Sequence, residues 1–304
     1  MSHLHYAILK NRSLIAIGGE EATHFLQNLV TCDLDQVQET GAGFGALLTP
    51  QGKILFDFLI AKTEDGYLLD TPRETLAEFS KRLTFYRLRA KVVIEALDDT
   101  MGVIASWHST DTTISPAFSS LGVTISDPRL ADLGNRHLGV IADMSKAMVL
   151  AGASEETPDV YARHRISLAV PESLSDYAYS DIFPHDADMD QLNGVSFSKG
   201  CYVGQEVVSR MQHRATARKR MILISSDALL PEAGATITAD GKPVGTLGSS
   251  TQNGDRHLGI ALVRLDKAKA AHDKGVSFIC DNIDVKLDLP EWAKFTWPSD
   301  PADV

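Results

Sequence analysis

The most constraining feature of the chain is a change of rhythm close to residue 216. Beyond it, short apolar and polar alternations at 221–224, 235–238, 243–249, 257–263 and 276–280 are separated by Gly, Pro, Asn and Asp. A period of two turns one face of each segment inward, and turn formers at this spacing favour a small barrel of short strands. A C-terminal β-barrel is therefore expected over 216–304.

Upstream the pattern is mixed. Residues 14–17 read as a strand, and 20–30 as a helix with apolar positions at 22, 25, 26, 29 and 30, the spacing of one buried stripe. A hairpin is expected from 44–48 and 54–60 across Thr49-Pro50-Gln51-Gly52, followed by a strand at 67–70. Thr71-Pro72-Arg73-Glu74 has the form of a capping box, opening a helix with Leu76, Phe79 and Leu83 inward. Strands are predicted at 92–94 and 101–105 and a helix at 159–168, with a polar stretch at 109–120. No GxGxxG follows a strand and no P-loop occurs, so the usual dinucleotide and nucleoside triphosphate fingerprints are absent. The reading for 1–215 is a mixed α/β region of two subdomains.

At 304 residues and 44% hydrophobic content, the chain buries sizeable cores without staples. Its three cysteines, Cys32, Cys201 and Cys280, stand far apart and form no zinc pattern, which suggests a reducing compartment. The apolar run at 14–17 is too short for a signal peptide core or a membrane span, and the first residues lack the Arg-rich character of a mitochondrial presequence. A cytoplasmic, bacterial setting is expected ahead of the mitochondrial matrix, with no membrane association. The net charge of −11 opposes bulk nucleic-acid binding. Locally, six Lys or Arg at 199, 210, 214, 218, 219 and 220 face only Glu206, and Lys81, Arg82, Arg87, Arg89 and Lys91 run without an intervening acid. Such stretches are either solvated faces or seats for an anionic ligand.

Cys201 lies between Gly200 and Tyr202, three residues before Gly204, and should sit on a loop. Gln205 onward can start a helix or a strand. Lys199 and the cations that follow would stabilise a thiolate, and a helix N-terminus would add to that. A thiolate is what thiol exchange or iron ligation requires; the alternative is an ordinary small buried residue. His164, His185 and His213 lack metal-ligand spacing and read as surface or satisfied histidines, and Cys32 and Cys280 read as packing residues.

The run Lys199-Gly200-Cys201-Tyr202-Val203-Gly204-Gln205-Glu206 closely resembles the signature of the YgfZ-type folate-binding proteins and their mitochondrial relatives in iron–sulfur assembly, the mitochondrial branch being nearer. Weaker similarity extends through Thr31-Cys32-Asp33-Leu34, Thr49-Pro50-Gln51-Gly52-Lys53, Tyr86-Arg87-Leu88-Arg89-Ala90-Lys91-Val92 and Val244-Gly245. This resemblance implies an α+β chain: a folate-binding mixed α/β region like that of the glycine-cleavage T-protein, a tetrahydrofolate-dependent aminomethyltransferase, followed by the small barrel. It implies a tetrahydrofolate pocket to which Tyr161 offers an aromatic wall, Arg12 a cation for the glutamate tail and Asp57 a carboxylate. Phe56 stands where the aminomethyltransferases carry the first of two adjacent aspartates, and an apolar ring shuttles no proton.

The function implied is that of a maturation factor rather than an enzyme. Cys201, its thiolate stabilised by Lys199, would ligate an iron–sulfur cluster transiently, while Tyr202, Gln205, Glu206 and Arg210 hold the loop or touch the ligand. A cluster normally takes four protein ligands, so the remainder would come from a partner, an A-type iron–sulfur carrier. One rival is a tetrahydrofolate-dependent one-carbon transferase or demethylase acting on a small amine or on tRNA, with a link to tRNA modification. Another is a scaffold in which the signature stabilises a domain junction.

Overall fold

The computed structural model describes residues 3–108, 122–214 and 218–298. The polar stretch 109–120 and the junction expected between 215 and 216 lie outside the described residues. The chain divides into two compact units, one of Met1–Leu48, Leu55–Tyr161 and Leu192–Val203, the other of Thr49–Ile54, Ala162–Gln191 and Gly204–Val304.

In the first unit, β1 (Leu4–Ile8) and β2 (Arg12–Gly18) are followed by α1 (Ala22–Gln27), α2 (Leu34–Thr40), β3 (Ala42–Leu48), β4 (Ile54–Lys62), β5 (Gly66–Pro72), α3 (Leu76–Arg87) and β6 (Val93–Ala96). The strands form a five-stranded sheet in the order β3-β4-β5-β2-β6. The helix predicted over 20–30 stops at Gln27, because Val30 is taken up in a bridge to Leu47. The absent expectation is α2. Asp33 caps it by accepting from the Asp35 amide at 3.1 Å, and Gly41 closes it at φ +85°.

The capping box expected at 71–74 does not form. Thr71 and Pro72 complete β5, paired with Ser13 and Arg12, and a short 3₁₀ turn, Arg73–Thr75, precedes α3. Burying Thr71 and Pro72 against β2 outweighs one local cap, and Pro72 at a strand end leaves little of the ladder unmade. Phe79 and Leu83 of α3 are buried, and Phe79 stacks on Phe56 and Phe58 with ring centroids 4.8 and 5.6 Å apart. The helix thereby covers one face of the sheet.

The second sheet is built from β7 (Met101–His108), β8 (Gly122–Ser126), β9 (Asn135–Val140), then α4 (Ile141–Leu150) and β10 (Ser154–Glu155), in the order β10-β1-β7-β9-β8. The helix expected at 159–168 is α5 (Pro158–Ser167). On β9, between β7 and β8, the buried His137 ring has Nε2 2.8 Å from Ser106 Oγ and Nδ1 2.8 Å from Thr124 Oγ1. Burial pushes its pKa down to about 4. The unfolded chain binds a proton near pH ~6.5 and the native chain only near 4, so this site's stabilisation is full above ~6.5 and is lost as pH falls toward 4. On the order of 3 kcal/mol should disappear across that window. Urea denaturation from pH 7 to 4 should show a shallower acid slope for His137→Gln than for wild type.

In the second unit, α6 (Gln205–Arg214) leads into β11 (Lys219–Ser226), β12 (Thr236–Ala239), β13 (Lys242–Asn253), β14 (Arg256–Arg264), α7 (Leu265–His272), β15 (Phe278–Cys280) and β16 (Ile283–Asp288). The strands close into a barrel in the order β11-β14-β13-β12-β15-β16. Its interior is filled by Ile222, Ile224, Ile237, Leu247, Val263 and Cys280, among others. Each of the five expected strands is realised; α7 and β16 were not foreseen, although in β16 Ile283, Val285 and Leu287 alternate with charged residues at 284, 286 and 288.

Beside the barrel, the buried Asp176 carboxylate organises the chain before it. It accepts from Arg165 Nη1 at 2.9 Å, from the Glu172 amide at 2.7 Å, and from the amide and hydroxyl of Ser249 on β13 at 2.7 and 2.6 Å. A Cβ on Gly248 would stand 2.5 Å from Asp176 Oδ1 and 2.9 Å from its Cα, so the close approach needs glycine there. No helix among the described residues is long and apolar enough to cross a membrane.

Candidate functional site

Of the three cysteines only Cys201 is exposed; Cys32 and Cys280 are buried as packing residues. The loop that carries Cys201 is anchored within the first unit to the segment between α1 and α2. Thr31 Oγ1 donates to the Gly194 carbonyl at 2.6 Å, and the Ser196 amide donates to the Thr31 carbonyl at 2.9 Å. Lys199 then reaches inward: its Nζ donates to the carbonyls of Val30 at 2.8 Å and Cys32 at 2.7 Å and lies 5.4 Å from the centroid of the Tyr202 ring. With residues 199 and 202 both buried, Gly200 stands in open space and Cys201 is presented to solvent.

From sequence Lys199 is expected to stabilise a Cys201 thiolate; in the fold its ammonium is directed at two backbone carbonyls and an aromatic face. The physical reason is that a buried cation must find acceptors, and the chain between two helices supplies carbonyls there. Burial lowers the Lys199 pKa to about 8, and burial raises Cys32 and Tyr202 to about 12. Lys199→Met keeps the bulk and removes both bonds. A loss of about 2–3 kcal/mol is expected, with faster amide exchange confined to residues 194–203 and their 30–32 anchor.

In the second unit the residues that follow form α6, resolving the open choice between helix and strand. Gly204 enters it at φ +80°. Gly52, at φ +82°, packs against it so closely that a Cβ would lie 2.9 Å from Val207 Cβ, which seats the turn at 49–52 on the helix's first turn. Glu206 and Arg210 pair with each other at 2.6 Å on the exposed face, and Gln205 is half-buried. His185 Nε2 lies 3.1 Å from Gln212 Oε1, His164 is half-buried and His213 is exposed. No group of three or more His, Cys, Asp or Glu is placed to hold a metal ion among the described residues.

The residues nominated for folate are brought into the interior of the first unit. Arg12 is buried, donating from Nε to Asp70 Oδ1 at 2.6 Å and from Nη2 to the Asp70 carbonyl at 2.8 Å. Tyr161 is buried too: its hydroxyl accepts from Arg136 Nη2 at 3.0 Å, the Arg136 guanidinium lies 5.1 Å from its ring centroid, and Trp107 packs at 5.3 Å. Asp57 is buried on β4, on the strand face opposite Phe56. None of them lines the large cleft of about 1000 Å³ in this unit, whose walls include Asp33, Glu39, Phe44, Lys62, Ile125 and Phe197. A pterin slot needs an open ring face and a glutamate tail needs an uncommitted cation. Tyr161 and Arg12 supply neither, so these residues do not fit the group. The residue missed from sequence is Thr31, whose side chain and backbone tie the signature loop down; its place in Thr31-Cys32-Asp33-Leu34 was the available signal.

Residues 218–295 match the family model for the CAF17 C-terminal beta-barrel domain. The human iron-sulfur cluster assembly factor IBA57, mitochondrial, is 30% identical over 284 residues, spanning 86% of this chain and 78% of the human protein. Its mouse counterpart is 29% identical over 316 residues, spanning 96% and 85%. The IBA57 homolog of Pyricularia oryzae is 29% identical over 285 residues, spanning 86% and 72%. Among solved structures, the glycine cleavage system aminomethyltransferase T from Bartonella henselae has a TM-score of 0.74 over 96% of this chain and 87% of its own, at 13% identity, a likeness of fold alone.

Proposed function

Because the chain belongs to the IBA57 family of iron–sulfur cluster assembly factors, we propose that Cys201 supplies one thiolate to a cluster held jointly with a second protein. The observation that supports this most is the presentation of Cys201: a solvent-facing thiol on a loop fixed by Lys199 and Tyr202 on either side. Holding the backbone in advance lowers the entropy lost when the sulfur meets a metal. One thiolate is far short of the four ligands a cluster normally takes, and no further ligand group stands ready among the described residues. The cluster is therefore cargo, and its other ligands belong to the partner, an A-type iron–sulfur carrier.

In this reading the Cys201 thiol gives its proton to solvent and its sulfur binds iron as one carrier ligand departs, so the cluster passes between chains without a change of electron count. Glu206 and Arg210, paired on the exposed face of α6, offer polar contacts for the docked carrier. Tetrahydrofolate retains the support of the shared fold only. Tyr161 and Arg12 are committed to the core and do not hold it. For the one-carbon transferase alternative, the position of the first aspartate is held by Phe56, whose ring is stacked on Phe79 and can neither give nor take a proton.

The test is anaerobic mixing with a cluster-loaded A-type carrier, followed by visible absorption and co-elution. A coloured complex with wild type and none with Cys201→Ser supports the shared ligand. Identical behaviour of the two proteins removes Cys201 from the cluster.

A further inference from the structure

We propose that the end of α3 and the outer edge of β6 form a second docking surface, independent of Cys201, for an acidic extended segment of a partner protein. A tight turn links α3 to β6. The Ala90 amide donates to the Arg87 carbonyl at 2.8 Å, closing Arg87-Leu88-Arg89-Ala90 with Leu88 at φ +48°, ψ −107°. That is the first central position of a type II′ turn, where glycine is the normal occupant because a Cβ is strained there. A leucine held so should be rewarded by burial, yet Leu88 is 85% exposed. Phe85 and Val93 on either side are 70% and 62% exposed. The fold itself gains almost nothing from this arrangement of apolar groups around a strained tip.

Charge and backbone identify the occupant. Lys81, Arg82, Arg87, Arg89 and Lys91 occupy a stretch free of acids from 79 to 94 in a chain of net charge −11. Lys91 is paired with Glu20 at 2.7 Å, whereas Lys81, Arg82 and Arg89 form no ion pair among the described residues. Among the described residues β6 lies at the end of its sheet and pairs with β2 alone, so its outer edge offers unpaired amides and carbonyls. An extended peptide completes such an edge with main-chain hydrogen bonds, while its side chains reach the arginines and the apolar tip. A nucleic acid or a lipid headgroup layer cannot extend the strand ladder. Of the exposed apolar groups only Phe85 has a ring that could stack on a base, Leu88 and Val93 have none, and Glu20, Glu21 and Glu95 beside the patch oppose a broad polyanion.

The experiment uses the full chain and a fluorescein-labelled peptide alternating Glu with Val, read by anisotropy. Saturable binding is expected, weakened roughly tenfold or more by Leu88→Gly and by Arg87→Glu with Arg89→Glu, since central anchors dominate such interfaces. Leu88→Gly suits the turn and should melt no lower than wild type, which separates loss of the anchor from loss of the fold. A proline-interrupted peptide of equal charge should bind more weakly, and the bound alternating peptide should slow amide exchange in 93–96. Cys201→Ser should bind the peptide as wild type does, whatever happens to cluster transfer. The proposal is overturned if the peptide fails to bind, if the variants bind it equally well, or if only polyuridine RNA or phosphatidylserine vesicles engage the patch.

Discussion

Cys201→Ser should leave the melting temperature of the protein nearly unchanged and remove its cluster-bearing complex with an A-type carrier. The side chain is exposed and outside the packed cores, so a stability change within about 0.5 kcal/mol is expected. The loop should persist, because Lys199 and Tyr202 hold it whichever atom stands at position 201. The functional effect is of another order. A serine hydroxyl stays protonated near neutrality and is a poor iron ligand, so carrier affinity measured with the cluster present should fall by more than about a hundredfold, beyond the loss typical of changes that touch a ligand only indirectly. Affinity for the cluster-free carrier should change little. If Cys201→Ser still yields the same visible spectrum in the complex, iron is not bound at this sulfur and the shared-ligand mechanism fails.

The largest effect on stability is expected at Asp176. Removing its carboxylate strands the buried Arg165 guanidinium and leaves the Glu172 and Ser249 amides without acceptors. Arg165 would retain the Val170 carbonyl at 2.7 Å and Ser249 Oγ at 3.0 Å, but no full countercharge, since Glu172 stands 3.7 Å away. A loss of about 3–5 kcal/mol is expected for Asp176→Ala, the cost typical of breaking one side of a buried pair. Asp176→Asn keeps an acceptor for Ser249 and should lose less. Urea denaturation of the second unit's signal, followed through Trp292, whose indole donates to the Leu168 carbonyl at 2.8 Å in the same region, would measure both. Equal stability of wild type and Asp176→Ala would show that water can replace the carboxylate there.

Legibility from sequence differed by the range of the interaction involved. The barrel strands were readable because inward and outward alternation is written residue by residue, and α3 because Phe79 and Leu83 keep helical spacing. At 71–74, by contrast, a favourable local motif lost to a partner far along the chain: Thr71 and Pro72 pair with Ser13 and Arg12. The end of α1 was misplaced for a similar reason, Val30 being drawn to Leu47. The exposed cysteine was correctly placed on a loop by its flanking glycines, yet the anchor beneath it involves residues more than 160 positions away.

By itself the sequence determined the class of the chain, the strands of its barrel, the signature loop with Cys201 and, through that signature, the family. Tertiary structure alone decided that Lys199 serves carbonyls of Val30 and Cys32, that Arg12 and Tyr161 belong to a buried polar core, and that two compact units are each assembled from separated stretches of chain. The physical reason is common to all three. Periodicity and turn chemistry act between neighbours in sequence, whereas a buried charge or hydroxyl takes whichever partner the folded chain brings within about 3 Å.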